Sequence, residues 1–191
     1  MCLFLNISIQ IFINKDDYLQ KMLSQQDKEF LLKLARITLE NKDSDLSDIP
    51  SALLEKGATF ISLYKNQDLI NSVGSLIPSM ELFQDVIDNI HSFPVEDKEN
   101  FKIEISVINN FKKLRFESEQ ELFSQIIVNK HGIAMEKDKK IATLLPFVWN
   151  RISDKKEFLN QICYKLKLEK DSWKKNADIF TYETETFRES N

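Results

Sequence analysis

Two side chains in this sequence have the types that nucleophilic chemistry needs. Ser72 lies in the strand-like run Leu69-Ile-Asn-Ser-Val73, and His131 in the string Lys130-His-Gly-Ile133. A serine hydroxyl is inert without a neighbouring base, and an imidazole accepts a proton near pH 7. Ser72 and His131 would therefore form a catalytic pair if the fold brought them together. Two blander readings compete with it. Ser72 would be a polar residue at a strand end and His131 a histidine fixing a turn. Alternatively, His131 would contact a ligand without catalysis, with Gly132 allowing close backbone approach. Asn71, Gly74 and Ser75 form a small polar turn whose N–H groups would hold an anion, although turn chemistry explains the same residues. Glu183 and Glu185 fall on one strand face about 7 Å apart, a spacing open to paired carboxylates. Their alternation with Tyr182, Thr184 and Thr186 also suits a solvated sheet edge.

The elements that must position these residues are legible in outline. Only Gly57, Gly74 and Gly132 occur as glycines, where average usage would give roughly 13. So sparing a sequence keeps glycine where φ is positive or where a side chain would block another group, and the three positions frame the expected cleft. Ser24-x-x-Asp27 is a capping box that opens a helix carrying Phe30, Leu31, Leu34, Ile37 and Thr38 and ending near Asn41. Pro50 starts a short turn. Thr59 to Lys65 and Asp68 to Val73, separated by Asn66-Gln67, predict a hairpin. Ser79 is placed to cap a second helix with the apolar stripe Leu82, Phe83, Val86, Ile87 and Ile90. Phe101 to Val107 alternates as a half-buried strand, and Ser118-x-x-Glu121 opens a third helix. A second hairpin, His131 to Glu136 and Lys139 to Leu145, turns at Lys137-Asp138. Pro146 starts a short helix through Trp149, Ser153 caps a helix carrying Phe158, Leu159, Ile162, Cys163 and Leu166, and Asp178 to Phe187 is a strand. Two hairpins with irregular alternation of helix and strand favour α+β over a doubly wound sheet.

Bulk properties narrow the function classes. A chain of 191 residues can bury roughly 70 % of its unfolded surface, enough for one full core or one core plus a small lobe. The net charge of −4, with both signs interspersed, gives no footprint for a phosphate backbone and argues against nucleic acid. Two cysteines, Cys2 and Cys163, make no disulfide framework and fit a cytoplasmic protein, and Cys163 among apolar neighbours reads as a buried small hydrophobe. His91 and His131 offer no zinc spacing, so no metal site is assigned, while a carboxylate site for magnesium stays open. No run reaches the ~18 apolar residues of a membrane helix. Residues 1–21 form an extension in which Leu3, Leu5, Ile7, Ile9, Ile11 and Ile13 alternate. It is either an edge strand or a misassigned start before Met22, leaving residues 22–191 as the domain.

Several strings then occur in one order: Leu31-Leu-Lys-Leu-Ala-Arg36, Gly57-Ala-Thr-Phe-Ile-Ser-Leu63, Phe101-Lys-Ile-Glu-Ile-Ser-Val107, Lys130-His-Gly-Ile133, Thr143-Leu-Leu-Pro-Phe-Val148, Phe158-Leu-Asn-Gln-Ile-Cys-Tyr-Lys165 and Trp173. From about Ser24 to Glu189 the chain resembles the AMMECR-type domain, also called AmmeMemoRadiSam system protein A. The resemblance implies an α+β domain with a largely antiparallel sheet flanked by helices, a smaller second lobe and a cleft between lobes. It implies association with a Memo-like protein and a radical-SAM protein, in a family whose molecular activity is not settled. The chain departs from the family where Leu69-Ile-Asn-Ser-Val-Gly74 replaces Leu-Arg-Gly-Cys-Ile-Gly, so that Ser72 stands at the cysteine position. An Asp-Pro-Arg-Phe segment is replaced by His91-Ser-Phe-Pro-Val95, and Phe147 replaces the glutamine after Leu-Pro.

Three functional readings follow. The leading one is a divergent member that binds a small ligand or a protein partner without cysteine chemistry. The second is an enzyme or enzyme component using Ser72 and His131, and the third a structural subunit. The residues name no cofactor.

Overall fold

A computed structural model describes residues 22–42, 48–93 and 101–190; the amino-terminal extension, Cys2 and the strings around Pro94 lie outside the described residues. In chain order the elements are α1 (Gln25–Leu39), a 3-10 turn (Ser51–Leu54), β1 (Lys56–Gly57), β2 (Thr59–Lys65), β3 (Asp68–Gly74), β4 (Met80–Glu81), α2 (Leu82–His91) and β5 (Lys102–Lys113). There follow α3 (Glu119–Gln125), β6 (Gly132–Lys137), β7 (Lys140–Leu144), a 3-10 turn (Pro146–Asn150), α4 (Lys155–Lys165), a 3-10 turn (Ser172–Lys174) and β8 (Asp178–Arg188). The described residues divide into two compact units, 22–108 with 185–190, and 109–184. The strand order is β3-β2-β5-β8-β6-β7, with a separate β1-β4 pair. The mapped pairs are antiparallel, and the chain is α+β as the element pattern predicts.

In the first unit, α1 opens on the capping box read from sequence. The Asp27 N–H donates to Ser24 Oγ at 3.1 Å, and the Ser24 N–H donates to the Asp27 carboxylate at 2.9 Å. Two of the helix's orphan donors are thereby satisfied. Ser24→Ala is expected to lower stability by about 1 kcal/mol in urea denaturation, the usual worth of such a cap. A loss of helix-end protection in hydrogen exchange should accompany it. The buried stripe of α1 is Leu31, Leu34, Ala35, Thr38 and Leu39, while Phe30 and Ile37 are half-buried. It packs with Leu53, Ile61, Leu63, Leu82, Val86, Ile90, Ile103 and Ile105.

The second helix begins differently from the sequence expectation. Ser79 does not cap it, because Met80–Glu81 is extended and pairs with Lys56–Gly57. Glu81 is the N-cap, and the first helical amide, that of Leu82, donates to the Glu55 carbonyl at 2.9 Å. A backbone carbonyl just before β1 thus satisfies a donor that a serine side chain would otherwise take.

In the second unit, α4 buries Phe158, Leu159, Ile162 and Cys163 in a core with Trp149, Trp173, Ile133, Met135 and Ile179. Its cap is Asp154, one residue beyond Ser153, whose Oδ1 accepts from the Glu157 N–H at 2.7 Å. Ser118 caps α3 as expected. The expected 101–107 strand runs on to Lys113, past Asn110 at φ 52. The β6–β7 turn is centred on Asp138-Lys139, one residue later than the expected Lys137-Asp138, because Lys137 pairs with Lys140.

Both hairpin turns place two non-glycine residues at positive φ, Asn66 and Gln67 (49° and 71°), Asp138 and Lys139 (52° and 62°). Such turns match the twist of the flanking strands. No glycine has positive φ, which overturns one half of the glycine reading and upholds the other. A Cβ at Gly57, Gly74 or Gly132 would lie 2.4 Å or closer to Leu82, Phe60 or Tyr182 respectively. In this chain glycine provides room, and asparagine and its neighbours provide the left-handed backbone.

Candidate functional site

Ser72 stands opposite Ser62 across the β2–β3 hairpin, where the strands alternate a hydrogen-bonded with an open pair. The two hydroxyls meet at 3.0 Å, and the Ser72 N–H donates to Asn71 Oδ1 at 2.8 Å. Only 1 % of Ser72 is exposed. Gly74 follows because the strand passes against Phe60 and the Thr59 carbonyl, where a methyl would lie 2.4 Å from both.

Beside Gly74 the structure assembles a polar group that the sequence reading did not single out. The Ser75 N–H donates to the Thr59 carbonyl, and its hydroxyl donates to Asp85 Oδ1. Asp85 Oδ2 accepts from the Thr59 N–H at 2.8 Å, the Thr59 hydroxyl at 2.7 Å and Asn89 Nδ2 at 3.0 Å. Of the Asn71-Gly74-Ser75 group, it is the Ser75 hydroxyl that meets this carboxylate, while the Ser75 N–H goes to the Thr59 carbonyl. Burial pushes the Asp85 carboxyl up from 3.8 to about 6, against the hydrogen bonds from Ser75 and Thr59 that favour its charged form. The available signal was the spacing of Asp85 and Asn89, one turn apart and on either side of Val86 within an apolar stripe. α2 buries Leu82, Asp85, Val86, Asn89 and Ile90, so its inward face is rotated toward the polar pair and away from Ile87.

An open hollow of about 520 Å³ lies elsewhere in this unit, lined by Glu29, Leu32, Lys33, Arg36, Lys102 and Glu189. Arg36 holds Glu189 there through two nitrogens, at 2.9 and 2.6 Å.

His131 belongs to the second unit and is 6 % exposed. Its Nδ1 accepts from the Ile127 N–H at 3.2 Å, which leaves the proton of the neutral ring on Nε2. Its carbonyl accepts from Trp149 Nε1 at 2.6 Å. Burial lowers the imidazole pKa, Glu183 opposes that, and Lys112, Lys130 and Lys155 add to it. Glu183 accepts from Asn110 Nδ2 at 3.0 Å and pairs with Lys130 at 3.1 Å. Burial acts to raise its carboxyl, yet Lys130 and Asn110 hold it below the ordinary carboxylate value. Asn110 reaches it from a left-handed residue inside a strand, a conformation that Asn tolerates better than most side chains. The space that a side chain at Gly132 would take is filled by the Tyr182 ring.

The structure therefore gives Ser72 a serine and His131 a backbone amide as hydrogen-bond partners. Glu183 and Glu185 fall in different units. Glu185 accepts from the Leu23 N–H and pairs with Lys28. The solvated-edge reading of that strand is corrected, since β8 lies between β5 and β6. Cys163 is buried and free, with its thiol pKa raised by burial. Among the described residues no group of three or more His, Cys, Asp or Glu is arranged to hold a metal ion, and no helix is long and apolar enough to cross a membrane.

The AMMECR1 family model matches residues 32–187. A protein of Methanosarcina acetivorans is 26 % identical over 189 residues, covering 88 % of this chain and 94 % of its own length. One of Methanopyrus kandleri is 28 % identical over 191 residues, covering 87 % and 90 %. The crystal structure of an uncharacterised protein from Pyrococcus horikoshii superposes with a TM-score of 0.79 at 25 % identity, covering 88 % of this chain and 94 % of that one.

Proposed function

The chain belongs to the AMMECR1 family, and from that premise we propose that it is a binding member that recognises a small polar ligand or a protein partner through the His131 cluster. Its setting is a pathway with Memo-like and radical-SAM proteins. The observation that carries this reading is the Glu183 carboxylate, held by Lys130 and Asn110 within the electrostatic reach of His131. The cluster combines a fixed acceptor, a cation half open to solvent and an imidazole with a defined tautomer. Such groups orient a polar ligand by hydrogen bonds that water would otherwise make.

Ser72 supplies no nucleophile in this reading. Its hydroxyl is sealed and bonded to a second hydroxyl, which is too weak a base to activate it. Ser72→Cys is expected to give a thiol that a soluble disulfide reagent modifies no faster than it modifies buried Cys163. Rapid modification of residue 72 in the folded protein would restore the nucleophilic reading. Binding is tested by thermal shift against small carboxylates, phosphates and sugars. A ligand at a hundredfold excess over its Kd stabilises by about 2.7 kcal/mol, and Glu183→Gln should abolish that shift while Ser72→Ala keeps it. A shift that survives Glu183→Gln places binding elsewhere. Co-purification of the tagged chain with Memo-like and radical-SAM proteins at native abundance tests the setting, and migration alone would count against it.

A further inference from the structure

Ser75 is the residue at which the polar group beside Gly74 reaches the surface. It follows β3, the edge strand of the six-stranded sheet, in a stretch where Val73, Gly74, Ile77 and Pro78 are also half-buried and Ser79 is exposed. Its hydroxyl donates to Asp85 Oδ1, while Asp85 Oδ2 is held by the Thr59 N–H, the Thr59 hydroxyl and Asn89 Nδ2. A hydroxyl bonded to a base whose own orientation is fixed by further groups is the arrangement of an activated nucleophile. Other hydroxyls on carboxylates lack part of it. Thr59 is fully buried, and Ser24 meets Asp27 in a capping box where both Ser24 donors fall on Asp27 Oδ2 and serve the helix end. The N–H of Leu76, directly after Ser75, meets no acceptor among the described residues. The amide after a nucleophilic serine is one of the donors from which an oxyanion hole is built.

We propose that Ser75 is a nucleophile for small esters, with Asp85 as its general base and the Leu76 N–H as a donor to the oxyanion. The Ser75 oxygen adds to the ester carbonyl carbon as its proton passes to Asp85 Oδ1. The bond from that carbon to the alcohol oxygen then breaks, and Asp85 returns the proton to the leaving oxygen. Acyl-Ser75 remains until water attacks it, giving Asp85 a proton that returns to the serine oxygen as the acid leaves. No oxidant or reductant enters. The site lies in the first unit and uses neither Ser72 nor the His131 cluster. Burial, with a push from Asp88 on the same helix, raises the Asp85 carboxyl to about 6, a stronger base than an ordinary carboxylate and still ionised at neutral pH. From β2 and the segment after β3 it is faced by the uncharged Thr59 and Ser75. A structural alternative makes Ser75 only a donor that satisfies a buried carboxylate.

The full chain treated with a short-chain alkyl fluorophosphonate separates the two. An activated serine is trapped irreversibly with loss of fluoride, and peptide mapping by mass spectrometry gives a rate for each site. Ser75 is expected to be labelled at least roughly tenfold faster at pH 7.5 than exposed Ser79 and Ser92, with a rate that rises through about pH 6 and levels off while theirs still climbs. Asp85→Asn should slow Ser75 at least about tenfold and remove the plateau, and the wild-type pH profile decides the matter even if that variant does not fold. With p-nitrophenyl acetate, Ser75→Ala should lose at least about tenfold of the steady release of p-nitrophenolate. Labelling of Ser75 no faster than of Ser79 and Ser92, or an ester turnover that Ser75→Ala leaves unchanged, overturns the proposal and leaves the structural role.

Discussion

Asp85→Ala is expected to lower the free energy of unfolding by about 4 kcal/mol, because it strands several buried donors at once. The Thr59 N–H, the Thr59 hydroxyl, the Ser75 hydroxyl and the Asn89 amide all converge on this carboxylate, which is 3 % exposed. Urea denaturation measures the loss, and a change under about 1 kcal/mol would mean that water or a rearranged Asn89 replaces the carboxylate without penalty. The same residue makes stability depend on pH in a defined direction. Its folded pKa of about 6 lies above the ordinary 3.8, so between these values the folded chain holds a proton that the unfolded chain has released. The stabilisation is complete below pH 3.8 and is lost as pH rises through 6. Relative to Asp85→Asn, the wild type should therefore weaken by about 2.4 kcal/mol between pH 4 and pH 7. A flat difference across that window would show that the hydrogen bonds keep the carboxylate charged throughout.

Gly132→Ala should cost about 3 kcal/mol, equivalent to a fall in Tm of roughly 10 °C for a chain of this size. The added methyl would lie 2.3 Å from Tyr182 Cζ and 2.5 Å from its Cε2. Tyr182 cannot swing aside cheaply, being fully buried with its hydroxyl bound to Thr143 Oγ1 and the Leu144 carbonyl. Gly57→Ala would meet Leu82 Cδ1 at 2.4 Å, an end that can rotate, and its Cβ at 2.9 Å, which cannot, so it should destabilise as well. A double-mutant cycle with Tyr182→Leu checks the cause. The smaller side chain opens the space that the methyl needs, so the combined loss should be less than the sum by at least about 1 kcal/mol. Strict additivity would locate the damage elsewhere.

Much of the fold was legible because its signals are local. The Ser24 and Asp27 cap, the Ser118 cap, the Asn66-Gln67 turn and the stripe from Phe158 to Leu166 depend on residues a few positions apart, which interact before any distant partner arrives. The misplaced caps have a common cause. Glu81 and Asp154 replaced Ser79 and Ser153 because strand pairing at Met80 and backbone direction at Asp154 decide which carbonyl or side chain meets the first free amides. The candidate site was less legible. His131 was found by residue type, whereas Glu183 was read as one of a carboxylate pair and emerged as the partner of Asn110 and Lys130.

By itself the sequence determined the element types, the α+β class and the family, since periodicity, caps and the order of short strings are properties of neighbours along the chain. Only the tertiary structure decided that Asp85 faces inward, that Ser72 is sealed by Ser62, and that the glycines make room for Leu82, Phe60 and Tyr182. The reason is physical: a polar side chain acquires its protonation state and its reactivity from burial and from partners distant in sequence, such as Asn110 and Glu183, 73 residues apart. Spacing along the chain does not encode them.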